Sequence, residues 1–98
     1  MSEVAVNEAD RRRGTDQILD VREDFEVAEG MIPGALHIPM DQLQTRLSEL
    51  DAAVPVIAVC RSGNRSARVA DALNGAGFTA DTMTGGMTAW SQAGLPTT

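Results

Sequence analysis

The chain has one cysteine, Cys60, which ends the apolar run Val56–Val59 and is followed at once by Arg61, Ser62, Gly63, Asn64, Arg65 and Ser66. A thiol in that setting has two readings. One is a small hydrophobe closing a core strand, since unpaired cysteines are among the most buried side chains. The other is a nucleophile. If residues 61–66 curl around the sulfur before a helix begins, several backbone N–H groups point inward and the helix dipole adds partial positive charge. Such a nest stabilises an anion and holds the thiol below its free pKa of roughly 8.5, and thiolate is the form that attacks. Gly63 can adopt positive φ, and Ser62 and Ser66 are small enough to leave the cradle open. Arg61 and Arg65 bring charge that orients an anionic substrate.

Charge distribution supports the second reading. No acidic residue lies between Asp51 and Asp71, yet Arg61, Arg65 and Arg68 all fall there, a local excess of three cations in a chain of net charge −6. A small anion is the simplest partner for such a patch; the plainer alternative is a solvated helix start. The other cluster, Arg11–Arg13, lies beside Glu8 and Asp10 and reads as exposed surface. Overall acidity argues against nucleic acid, which is bound through clustered cations. A single cysteine forms no internal disulfide, and one histidine, His37, supplies no ligand set at zinc-like spacing, so neither a metal nor a cofactor is expected. No stretch approaches the roughly 18 to 20 apolar residues needed to cross a bilayer, and the N-terminus lacks the basic-then-apolar order of a signal peptide. The expectation is a soluble protein of the reducing cytoplasm, with no membrane partner.

These residues need elements to hold them, and 98 residues with 43% hydrophobic content suffice for one domain, residues 1–98. Gln17–Val21 is a short apolar run with a β-branched flank and predicts a buried strand. Acids then mark a first helical turn that Gly30 stops. Two prolines and a glycine around Ala35–Ile38 predict a turn, a short strand and another turn. Met40, Leu43, Leu47 and Leu50 are spaced for one face of a helix. Val54–Cys60 is the strongest strand, apolar on both faces and so central to a covered sheet, with Cys60 as its last residue. Asn64–Gly77 predicts a helix with Val69, Ala70 and Leu73 on one stripe. A further strand precedes the diglycine Gly85–Gly86, and Met87–Gln92 closes as a short helix ended by Gly94 and Pro96. Alternating strands and helices imply an α/β domain, a largely parallel sheet flanked by helices on both faces. Sites in such sheets form beyond the carboxyl ends of strands, where Cys60 stands.

Three ordered motifs then carry a resemblance. Leu19–Pro39 (LDVREDFEVAEGMIPGALHIP), Cys60–Ser66 (CRSGNRS) and Gly85–Pro96 (GGMTAWSQAGLP) resemble the signatures of the single-domain rhodaneses, the thiosulfate sulfurtransferase superfamily. The segment before Leu19 is the weakest part of the match and leaves one sheet edge less covered. The resemblance implies that the Cys60 thiolate takes sulfur from thiosulfate, holds it as a persulfide within the N–H groups of residues 61–66, and yields it to cyanide or a thiol. It also implies that Arg61 helps bind the donor while Arg65 braces the loop. Glutathione persulfide, mercaptopyruvate and a cysteine desulfurase are other donors in this superfamily, although mercaptopyruvate enzymes usually have two domains and a different loop.

Two other classes compete. Cysteine-dependent phosphatases and arsenate reductases place five residues between cysteine and arginine, to cradle a tetrahedral oxyanion on a bidentate arginine. Here four, Arg61–Asn64, separate Cys60 from Arg65, and Val59 stands where those phosphatases tend to carry histidine. The shorter loop suits one sulfur atom. A persulfide relay or sensing module working with a specific protein partner would share fold and loop, and turnover separates it from a free enzyme. Asp20 and Arg22, at the end of a neighbouring strand, either reach the site or order the adjacent loop. Met31 replaces a histidine frequent in the family, which argues against proton transfer from that position. His37, Met87 and Trp90 read as structural.

Overall fold

The computed structural model describes residues 2–98. Five parallel strands form one sheet in the order β1-β5-β4-β2-β3. They are β1 (Glu3–Val4), β2 (Gln17–Asp20), β3 (Leu36–His37), β4 (Val56–Val59) and β5 (Ala80–Met83). Helices α1 (Val6–Arg11), α2 (Asp24–Val27), α3 (Leu43–Arg46), α4 (Asn64–Gly75) and α5 (Gly86–Gln92) connect and flank them. The expected α/β class and parallel sheet are what the structure contains.

Every residue of β4 is fully buried because alternate side chains feed two separate cores. Val56 and Ala58 pack with Leu19, Val21, Val69 and Leu73 beneath α3 and α4. Ile57 and Val59 pack on the opposite face with Ile18, Met83, Met87 and Trp90. Trp90, the largest buried side chain, satisfies its indole N–H by donating to the Pro96 carbonyl at 2.9 Å. In register, Asp20 lies alongside Val59, so the ends of β2 and β4 open on the same edge of the sheet.

Four expectations need correction. The strand ends at Val59, one residue before Cys60. The Cys60 carbonyl leaves the ladder to accept the Met87 N–H at 2.9 Å. The helix expected over Met40–Leu50 is broken: only Leu43–Arg46 is α-helical, between 3-10 turns at Met40–Gln42 and Leu47–Glu49. Its apolar stripe is buried or half-buried as expected, but spacing fixes which side chains face inward and not how tightly the backbone is wound. The sheet edge expected to be less covered is extended by β1, whose Glu3 and Val4 pair with Thr82 and Met83. Arg12 is not simply exposed, since it pairs with Asp16 and with Asp81 on β5, tying α1 to the sheet. Among the described residues no helix is long and apolar enough to cross a membrane.

Candidate active site

Cys60 opens the connection between β4 and α4, and its side chain is almost wholly buried, 1% exposed. The loop turns back on the sulfur through Gly63, whose φ of +107° suits glycine and whose conformation caps α4. Gly63 N–H thereby donates to Cys60 Sγ at 3.0 Å, and Ser66 N–H donates to the same atom at 3.3 Å. The Ser66 hydroxyl lies 3.3 Å from the sulfur. Burial pushes the Cys60 thiol up, but the hydroxyl of Ser66 and the backbone N–H groups of Ser66, Gly63 and Ser62 outweigh it. The net effect holds the thiol below its ordinary value.

The loop is held from three sides. On the α5 side, Gly86 abuts the backbone of the loop: a Cβ there would stand 2.4 Å from the Cys60 carbonyl and 2.5 Å from that of Arg61. This approach lets the first free N–H groups of α5 be satisfied, Met87 by Cys60 and Thr88 by the Arg61 carbonyl at 3.0 Å. On the α2 side, Arg65 grips Glu26 with two parallel bonds of 2.8 and 2.9 Å. The Arg65 guanidinium, helped by the Glu23 backbone and the Arg22 charge, holds the Glu26 carboxyl at about 2 against the opposing effect of burial. On the β5 side, Ser66 Oγ lies 2.7 Å from Thr82 Oγ1.

The structure gathers the seven residues Cys60–Ser66 around one sulfur but distributes their side chains unequally. Arg61 is exposed and makes no side-chain hydrogen bond or ion pair among the described residues. It borders a cleft of about 300 Å³ with Glu29, Thr88, Ser91 and Thr97. Ser62 and Asn64 also face solvent. Arg65 is half-buried and paired with Glu26, an arrangement that agrees with the expected bracing of the loop and leaves less of its charge for an anion. Arg68 lines a different groove from Arg61, with Met40, Leu43 and Leu47, and Arg65 is held by Glu26, so the three cations have three different settings.

Asp20 and Arg22 are buried and joined by bonds of 2.8 to 3.1 Å. Arg22 also donates to the carbonyls of Glu26 and Gly30, at 3.3 and 2.8 Å, which fixes the loop carrying Glu26. Neither side chain bonds the sulfur. The His37 Nε2–H donates to the Arg22 carbonyl at 2.8 Å and takes part in the same loop. Glu26 and Thr82 are the two site residues that reasoning from the sequence missed. Glu26 is separated from Arg65 by 39 positions and Thr82 from Ser66 by 16, with no local pattern to link them. Nothing in the sequence singles out Glu26 from Glu23, Asp24 and Glu29 around it.

Comparison with known proteins places this geometry. The sequence model of the family described as "Rhodanese-like domain" matches residues 5–93. The YtwF protein of Bacillus subtilis is 47% identical over 73 residues, covering 74% of this chain and 71% of that protein. A sulfurtransferase of Allochromatium vinosum is 39% identical over 80 residues, covering 81% and 75%. Among solved structures, a rhodanese-related protein from Thermoplasma volcanium superposes with a TM-score of 0.95 at 26% identity, covering 100% of this chain and 98% of that one. A buried thiol, turned into its own loop at the end of a central parallel strand, is therefore set in a chain that belongs to the rhodanese-like domain family.

Proposed function

We propose that the protein is a sulfurtransferase that moves sulfane sulfur from thiosulfate, or a related donor, to a thiophilic acceptor through a persulfide on Cys60. The supporting observation is the sulfur itself: buried, and met by N–H donors from Gly63 and Ser66 with no carboxylate or imidazole bonded to it among the described residues. An unsupported buried thiolate is costly, and these donors offset that cost without a general base.

In the first half-reaction the Cys60 thiolate attacks the outer sulfur of thiosulfate. A new S–S bond forms, the S–S bond of the donor breaks, and its electron pair leaves with sulfite. The single negative charge now rests on the terminal sulfur of the persulfide, in the cradle of residues 61–66. In the second half-reaction cyanide or a thiolate attacks that terminal sulfur, and Cys60 regains its electron pair as thiolate. This is covalent, ping-pong catalysis in which fixed N–H groups stabilise the charge in both states. Arg61, next to Cys60 and in no ion pair among the described residues, attracts the dianionic donor.

The test is steady-state turnover with thiosulfate and cyanide, following thiocyanate. The expected result is parallel-line kinetics for the native chain and no turnover for Cys60→Ser. Turnover that survives in Cys60→Ser would overturn the reading. Turnover that appears only with a protein acceptor would move the function to a sulfur relay.

A further inference from the structure

Ser66 Oγ is a buried hydroxyl with one proton and three neighbours: Cys60 Sγ at 3.3 Å, the Gly63 carbonyl at 3.2 Å and Thr82 Oγ1 at 2.7 Å. Where that proton points decides whether the sulfur meets a donor or an acceptor. Thr82 is 3% exposed, and among the described residues its hydroxyl bonds only Ser66. A buried hydroxyl proton left without an acceptor is costly, so Thr82 donates to Ser66 Oγ. That leaves the Ser66 proton two destinations, the Gly63 carbonyl and the sulfur. With a neutral thiol, S–H donates to Ser66 and Ser66 donates to Gly63. With a thiolate the Ser66 proton swings onto the sulfur, and the chain Thr82→Ser66→Cys60 runs in one direction, each bond polarising the next.

We propose that Thr82 is a positioning residue for the Cys60 nucleophile: its hydroxyl, donating to Ser66, aims the Ser66 proton at the sulfur and strengthens it as a donor. The proposal rests on Cys60 acting as a thiolate, as in the function above. Thr82 is well placed for this because it shares the α4 side of β5 with Ala80, whereas Asp81 points to Arg12 on the other side. The charged groups on the elements around the sulfur are the adjacent Arg61, Arg65 on α4 paired with Glu26 of α2, Arg68 and Asp71 further along α4, Asp81 of β5 paired with Arg12, and the Asp20–Arg22 pair at the end of β2. From β3, His37 is bonded to the Arg22 carbonyl. From α3, Arg46 is paired with Glu49, and α5 carries no charged side chain. None of these bonds Thr82, so its substitution leaves every charge in place.

The experiment is the pH dependence of iodoacetamide alkylation of Cys60 in the full chain, for Thr82→Val, Thr82→Ala and Thr82→Ser. The two variants without a hydroxyl are expected to raise the midpoint by about half to one pH unit, a roughly three- to tenfold smaller thiolate fraction below it. Thr82→Ser should keep the native midpoint. In a Ser66→Ala background Thr82→Val should add nothing, since the effect passes through Ser66. An unchanged midpoint in Thr82→Val and Thr82→Ala overturns the proposal. So does a Thr82→Ser midpoint raised as far as theirs, or a full further shift in the Ser66→Ala background. Alkylation needs no sulfur donor, so a failure of sulfur transfer and a failure of this proposal give different results.

Discussion

At the scale of single residues the site sets a buried thiol beside a cation that is exposed. The Cys60 sulfur is enclosed by donors from its own loop, whereas Arg61, the next residue, is exposed and in no ion pair among the described residues. Arg61→Ala is expected to raise KM for thiosulfate by roughly tenfold while kcat changes much less, because the guanidinium meets the donor before sulfur moves. Steady-state kinetics with varied thiosulfate check this, and an unchanged KM would show that the donor enters by another route. The Cys60–Ser66 loop was legible in the sequence because its parts are contiguous: a strand end, a positive-φ glycine and a helix start need no distant partner. Thr82 was not legible, because a threonine in a strand advertises nothing until α4 folds Ser66 over it. Arg65 was legible as a brace of the loop through the family resemblance, but not the partner it grips, since Glu26 lies 39 positions away.

Among elements, α5 and α2 clamp the loop, and neither clamp follows from helix propensity. The α5 N-terminus meets the loop backbone because Gly86 has no side chain and a φ of +56°, with room for neither a Cβ nor its strain. Gly86→Ala is expected to lower stability by about 2 kcal/mol or more, and to reduce turnover further than the unfolded fraction explains. Urea denaturation beside activity at saturating thiosulfate checks both, and a fully active, fully stable variant would separate α5 from the site. The closing motif made the glycine pair visible in the sequence but not its target, which is the backbone of a loop 25 positions earlier, Arg61 to Gly86. The α3 region shows the complementary limit: its apolar stripe was legible, and the choice between α and 3-10 winding was not.

For the whole molecule, the parallel sheet was readable from alternation and from the doubly buried Val56–Val59, while β1 was not, since two residues make no pattern. The half-buried Glu26–Arg65 pair gives the fold a pH dependence whose sign follows from the direction in which Glu26 is shifted. Glu26 is held at about 2, against an ordinary 4.5, so its stabilisation is full above the ordinary value and is lost as pH falls from about 4.5 toward 2. Glu26→Gln should cost about 2 kcal/mol at neutral pH and flatten that acid limb, since it leaves Arg65 without its carboxylate. Denaturant midpoints between pH 2 and 7 check the slope, and a native-like limb in the variant would assign acid sensitivity to other carboxylates. The central claim, that sulfur travels on Cys60, is met most directly by intact-mass measurement after incubation with thiosulfate. A gain of one sulfur atom, lost on adding cyanide and absent in Cys60→Ser, is the expected result. No adduct with thiosulfate or with any other sulfane donor would contradict it.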